Sequence, residues 1–196
     1  MSKKNARDTK GKIISAAWEL FYEQGYEETT VDEIVELSET SKGSFYHYFN
    51  SKDALLGTLA YMFDRKYEEL EPNLKDFDSS FDKLIYLNRE LFAMIEDGIS
   101  LELLSRLFST QLVTRGEKHL LDRNRYYYKL LRKICVEGQE SGEFRSDLSV
   151  NDLTKLYALV ERAIMYDRCI SGGEYSLKRY AEENVPHLLS GLKAPK

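Results

Sequence analysis

The sequence predicts an all-α protein: an N-terminal three-helix head containing a helix-turn-helix, joined by a fourth helix to a C-terminal helical-bundle body, about nine helices in all. Three observations carry that expectation. Apolar residues recur at helical spacing along most of the chain, no segment alternates with the period of a strand, and residues 30–49 read as two short helices on a tight turn.

The elements follow in order. Ile13, Ala17, Leu20 and Phe21 fall on one face of an amphipathic helix, and Gly25 stands where a left-handed residue ends it. Thr30 and Glu33 have the spacing of a capping box, which starts the second helix, and Val31, Ile34 and Val35 give it an apolar stripe. Ser38, Glu39 and Thr40 then break the pattern, and Ser41 is placed to cap a third helix beginning Lys42, Gly43, Ser44. Phe45 and Phe49, four apart, share one face of it. If those rings face the core, Lys42, Ser44, Tyr46, His47 and Tyr48 are left on the other faces, an aromatic gathering that a soluble surface rarely keeps without a partner. Ser51 is placed to cap a fourth helix with Asp53 in its first turn, Leu55, Leu59, Phe63 and Leu70 on its buried side, and Pro72 closing it.

In the body, Ser79 with Asp82 opens a helix to about Asp97, and a shorter helix runs from Ile99 to Val113, ending near Gly116. Residues 117–140 read as one long helical segment with Leu120, Tyr127, Leu131 and Ile134 on one side, stopped by Gly138 to Phe144. Ser149 with Asp152 begins the next, where Leu153, Leu156, Tyr157, Val160 and Ile164 form a broad apolar face until Gly172 and Gly173. A last segment spans Tyr175 to Leu192, kinked or broken at Pro186. The faces of these last two helices are wide enough to close the subunit's own core or to pack against a second copy as a four-helix bundle, and a paired helix-turn-helix favours the second copy.

Taken with its neighbours, the stretch from Lys12 to Leu56 resembles the N-terminal domain of the TetR family of bacterial transcriptional regulators. The likeness rests on AAxELFxxxGYxxTTVxxI joined without a gap to SKGSFYHYFxSKDALL. The turn departs from it, since many relatives carry a glycine and a small apolar residue where this chain has Glu39 and Thr40. The resemblance implies a basic arm over residues 1–10, a DNA-binding domain over 9–55 with its motif at about 30–49, and a ligand-binding and dimerisation domain over 56–196. It further implies a repressor that binds a palindromic operator as a homodimer through its last two helices and is released by a small-molecule effector.

The candidate DNA contacts are Thr30, Thr40, Ser41, Lys42, Gly43, Ser44, Tyr46, His47, Tyr48 and Lys52. Ser41 and the N–H groups after it form a helix start that suits a phosphate, Lys42 adds charge, and Gly43 lets the backbone approach a groove closely. The resemblance implies that Tyr48 and Lys52 take phosphates while Lys42, Gly43 and Tyr46 lie nearest the bases. Thr30 and Ser51 cap helices, and capping is compatible with touching a phosphate.

Charge at first argues against a duplex, because the whole chain is −5 and residues 1–55 hold seven Lys or Arg against ten Asp or Glu. Local placement matters more than the sum: Lys3, Lys4, Arg7, Lys10 and Lys12 stand against only Asp8, and the acids of the first two helices are expected to face away from the groove. The arm reads equally as a DNA contact or as a solubilising tail.

With 14 Tyr and 9 Phe, an aromatic effector pocket is expected in the body, although rings at helical spacing also build plain core. The candidates are Phe63, Tyr67, Tyr86, Phe92, Phe108, Tyr127, Tyr128, Arg162 and Tyr166, with Glu102, Asp167 and Arg168 as further charged groups. Cys135 and Cys169 lack metal-like spacing and read as reduced thiols, and neither a cofactor nor a metal is expected. No apolar leader and no run of 18 apolar residues occurs, so a cytoplasmic location without membrane contact is expected. An enzyme on a helical bundle is disfavoured because no Glu-x-x-His pair occurs among the three histidines. A DNA-binding structural protein without an effector is the stronger rival.

Overall fold

The computed structural model describes residues 3–113 and 118–195, with residues 3–8 described by their backbone alone. Gly116, the expected end of one helix, and the side chains of Lys3, Lys4 and Arg7 therefore lie outside the described residues. The helices are α1 (Lys3–Glu23), α2 (Val31–Leu37), α3 (Lys42–Tyr48), α4 (Lys52–Leu56), α5 (Leu59–Leu70), α6 (Ser80–Gly98), α7 (Leu101–Val113), α8 (Tyr126–Glu140), α9 (Val150–Ile170), α10 (Leu177–Glu183) and α11 (Val185–Leu188). Tight 3-10 turns lie at Glu71–Asp76, His119–Leu121 and Ser190–Leu192. Among the described residues the only β pairing is a single bridge between Phe144 and Lys193. The all-α reading holds.

Three expected segments are divided. The fourth helix splits into α4 and α5 because Thr58 tightens the chain: its N–H reaches Leu55 O at 2.9 Å in a 3-10 step and its hydroxyl donates to the same carbonyl at 2.5 Å. Trp18 Nε1 holds that hydroxyl from the other side at 2.8 Å. The segment 117–140 becomes a short turn and then α8, since Asp122 Oδ1 accepts the Asn124 N–H at 2.9 Å and a buried Arg125 starts the helix proper. The last segment divides at Asn184, with Pro186 in the first turn of α11, where its missing N–H does no harm. Ser51 is the N-cap of α4 but makes no side-chain bond there, in contrast to Ser79 and Ser149, which both cap as expected.

Two cores organise these helices. The head core joins Ile13, Ala17 and Phe21 of α1 with Ile34, Phe45, Phe49 and Leu55. The larger body core runs through α5, α6, α8 and α9. Leu103 of α7 is buried in the head core, and Trp18 and Ile99 pack against both. Head and body thus share a wall.

The body core also encloses charge. Arg125 grips Asp64 with two bonds, Nε to Oδ2 at 3.0 Å and Nη2 to Oδ1 at 2.9 Å, and Asp64 Oδ1 also accepts the Tyr127 N–H at 3.2 Å. Removing one partner of so buried a pair costs about 3–5 kcal/mol. Nearby, Glu161 is buried and receives the Tyr67 hydroxyl at 2.9 Å, with Asn88 Nδ2 at 3.4 Å. Burial pushes the Glu161 carboxyl above the ordinary carboxylate range, although the surrounding hydroxyl and amide donors oppose the shift. Fold stability from this group is therefore fully present below the unfolded pKa and is lost as pH rises through the raised folded one.

Two outcomes follow from this packing. A Cβ on Gly138 would lie 2.4 Å from the buried Phe144 ring, so Gly138→Ala is expected to lower the unfolding free energy by ~1–3 kcal/mol in urea denaturation. Native protein is expected to lose stability as pH rises from the ordinary carboxylate range, and Glu161→Gln to flatten that dependence, measured by unfolding at a series of pH values.

Candidate nucleic-acid interface

The head presents its motif through two caps and one unusual turn. Thr30 Oγ1 accepts the Glu33 N–H at 3.2 Å while Glu33 Oε2 accepts the Thr30 N–H at 2.7 Å, which completes the capping box. Those bonds hold the Glu33 carboxyl below its usual range. Ser41 Oγ accepts the Ser44 N–H at 3.1 Å and starts α3. Between the helices Glu39 takes φ +52°, the left-handed region, at a cost of roughly 1–2 kcal/mol for a residue with a Cβ. The turn is tied by the Thr40 N–H on Val35 O at 3.1 Å and by the Ser38 and Thr40 hydroxyls at 2.8 Å. This is the turn at which the resembled family often has glycine, and the backbone supplies the reason.

Phe45 and Phe49 are 0% and 5% exposed, whereas Tyr46 on the same short helix is 53% exposed. Ser41, Lys42, Gly43 and His47 are exposed, and Thr40, Ser44 and Tyr48 are half-buried. The His47 and Tyr48 rings meet edge to face at 4.8 Å, with Tyr48 resting against the head core. A Cβ added to Gly43 would meet nothing closer than Ser41 Oγ at 3.7 Å, an ordinary contact. The fold itself has room for a side chain there.

Two expectations about charge are revised. Lys52 does not reach outward: its ammonium donates to the carbonyls of Tyr26 at 2.5 Å, Glu27 at 3.2 Å and Thr29 at 2.7 Å, and lies 4.3 Å from the centre of the Tyr26 ring. All three N–H groups are engaged in closing the loop between α1 and α2, and partial burial lowers the Lys52 pKa. The acids of α2 do not all turn away either, because Asp32 pairs with Lys42 at 2.7 Å. Both partners of that pair are well exposed, so water screens it and a stronger anion can displace Asp32. Of the expected basic arm, the backbone from Lys3 onward continues α1.

The expected pocket residues do not form one group. Phe63, Tyr67 and Tyr127 line a small cavity of about 20 Å³ beside Glu161, room for about one water, and Arg162 borders it. Phe92 is packed inside the body core, fully buried. Tyr128 is buried, donates to Leu120 O at 3.1 Å and receives Arg162 Nη1 at 3.0 Å. Tyr86 lies apart, bonded to Asn73 at 3.0 Å. Phe108 meets the 43% exposed Tyr166 edge to face between α7 and α9. Glu102 pairs with Arg106, while Asp167 and Arg168 brace the loop at Tyr175, so these three serve structure. The sequence reading missed Glu161, Asn88 and the Asp64–Arg125 pair. For Asp64, Asn88 and Glu161 the signal was a polar residue on the apolar face of a helix; Arg125, the N-cap of α8, gave none.

A family model for bacterial regulatory proteins of the tetR family matches residues 13–59. The transcriptional repressor DhaR of a Mycobacterium species is 31% identical over 150 residues, 70% of either chain. The transcriptional regulator QacR of Staphylococcus aureus is 27% identical over 160 residues, 79% of this chain and 81% of that one. The whole fold is shared with FadR of Thermus thermophilus, a TetR-family repressor solved in complex with lauroyl-CoA, at TM-score 0.74 and 24% identity over 95% of this chain and 96% of that one. With its capped pair of short helices and a helical body behind them, the chain belongs to the TetR family of bacterial regulatory proteins.

Proposed function

We propose that this protein is a ligand-responsive transcriptional repressor that binds a palindromic operator in the cytoplasm as a homodimer. One observation carries the reading: α3 buries Phe45 and Phe49 and leaves Lys42, Gly43, Ser44, Tyr46 and His47 for a partner. A helix so anchored fits the major groove, where phosphate contacts fix register and base-edge contacts choose sequence. Ser41, Thr40, Thr30 and Tyr48 border that face and are assigned to the sugar-phosphate backbone. The room beside Gly43 supports an external cause for glycine, the approach of the helix to the duplex. Lys52 acts here by closing the α1–α2 loop, with its charge as background.

The dimer is assigned to α9 with α11. Leu156, Leu159, Tyr166 and Ile170 form one stripe on α9 and are 40–67% exposed, and Leu188 of α11 is 51% exposed. Such a surface is expensive to leave in water, and pairing it with its symmetry mate would set two heads about one duplex turn, roughly 34 Å, apart.

Residues 56–196 are read as the body that holds the effector, as in the FadR relative bound to lauroyl-CoA. α7 is the natural lever, with Leu103 in the head core and Phe108 against Tyr166 of α9. A ligand that shifts α9 relative to α5 and α8 would tilt the heads, and a coupling of about 1–3 kcal/mol is enough to change DNA affinity some 5- to 150-fold.

Gly43→Leu is expected to abolish operator binding while leaving the urea midpoint unchanged. Lys42→Ala should lower the salt slope of binding by about 1, and Tyr46→Ala should change sequence preference in a selection from random DNA. Equal affinity of all three variants and native protein for operator overturns the interface. Leu159→Arg is expected to give a folded monomer by sedimentation; a persistent dimer removes α9 from the contact.

A further inference from the structure

The flank of α9 that faces neither the core nor the exposed stripe carries a feature that the DNA-binding reading leaves unused. There α8, α9 and the turn before α8 form a cleft of about 190 Å³ bordered by Arg123, Arg132, Lys155 and Arg162, with no acidic residue in its lining. Among the described residues none of the four has an ion pair. Four like charges around one depression repel one another and are each favoured by an anion placed between them. Arg132 adds a sharper sign, since its Nε is buried with no hydrogen-bond partner. A buried donor of this kind carries an uncompensated desolvation cost until something accepts from it.

Arg162 belongs to two sites. It borders the basic cleft and also the small cavity partly lined by Phe63, Leu91, Leu120 and Met165, and its Nη1 donates to the Tyr128 hydroxyl at 3.0 Å. Those four apolar side chains make one wall of the cavity; Tyr67, Arg125, Glu161 and Tyr127 make the rest, and the Tyr127 hydroxyl is buried without a partner among the described residues. Positive charge therefore rings the mouth, and an apolar wall of Phe63, Leu91, Leu120 and Met165 lies behind it.

We propose that the effector is an amphipathic anion whose phosphate or carboxylate head sits among Arg123, Arg132, Lys155 and Arg162 and whose apolar part enters the body between α8 and α9, past Tyr128. The cavity behind Tyr128 holds only about one water, so the apolar part must separate the two helices to enter. That separation is the event that moves α9. The proposal rests on the ligand-responsive reading above and adds the chemistry of the ligand.

The test uses intact native protein and a series of probes that share one tail, kept below their micelle-forming concentrations: dodecyl phosphate, laurate, dodecanol and dodecyltrimethylammonium. Binding is read by calorimetry, and release by displacement from a palindrome selected out of random DNA. The two anions are expected to bind on the order of 10-fold or more tightly than dodecanol, the cation weakest, and only the anions to release DNA. The stronger of the two anions names the head group. Arg132→Met and Lys155→Glu are each expected to bring dodecyl phosphate down to the affinity of dodecanol without changing DNA affinity. Arg132→Met, which removes the orphan Nε and keeps the aliphatic stem, is expected to fold with at least native stability. Equal binding of all heads, tightest binding of the cation, or native anion affinity in both variants overturns the proposal while the repressor reading stands. Failure of unliganded native protein to select any DNA would overturn the repressor reading instead.

Discussion

A helix of seven residues cannot hold itself together in water, because its first turn fixes several dihedrals for a single hydrogen bond. The presentation of α3 therefore depends on what packs behind it. Phe45 and Phe49 bury their rings against Ile13, Ala17, Phe21 and Ile34, while Ser41 takes up an end group that the short helix leaves unsatisfied. Once those two rings are fixed, helical geometry decides that Lys42, Gly43 and Tyr46 face outward. Specificity at such a surface is a consequence of burial on the opposite face.

The same constraint ties the head to the body. A head of roughly 50 residues buries too little surface to be well stabilised alone, and here its core is completed by Leu103 from α7. Arg106 of α7 also pairs with Glu27 of the head, and Tyr22 bonds to the Gly98 carbonyl at the end of α6. Trp18 bridges both cores and fixes Thr58 at the step between α4 and α5. Head and body are therefore joined through packed and bonded side chains of α1, α6 and α7 as well as through the chain connection.

The interior of the body is more polar than a plain bundle requires. The Asp64–Arg125 pair places its carboxylate on the Tyr127 N–H at the start of α8, and Arg125 Nη2 also reaches the Ala60 carbonyl at 2.6 Å, which pins α5 to α8 in one register. Glu161, by contrast, has no cation bonded to it among the described residues, only hydroxyl and amide donors. Burying such a group without full compensation lowers stability locally, and sites that must open for a ligand are drawn from such regions.

The sequence by itself determined the helical class, the capping residues Thr30, Ser41, Ser79 and Ser149, the left-handed Gly25 and the outward Lys42, Tyr46 and His47 of α3, while Ser44 and Tyr48 came out half-buried. Each of these is set by neighbours within a turn of helix, where period and cap chemistry act. It did not disclose that Lys52 folds back onto the α1–α2 loop, that Asp32 reaches Lys42, or that α4 and α5 part at Thr58. Those outcomes need Lys52 to meet Tyr26, Lys42 to meet Asp32 and Trp18 to meet Thr58, contacts between different elements. The scattered aromatic candidates show the same limit, since a helix face identifies a buried residue without saying which cavity it lines. Only the tertiary structure decided that Glu161 meets Tyr67 across 94 positions and that four basic residues from two helices and a turn share one cleft. Local pattern encodes which side of an element is apolar, and long-range packing alone decides what that side encounters.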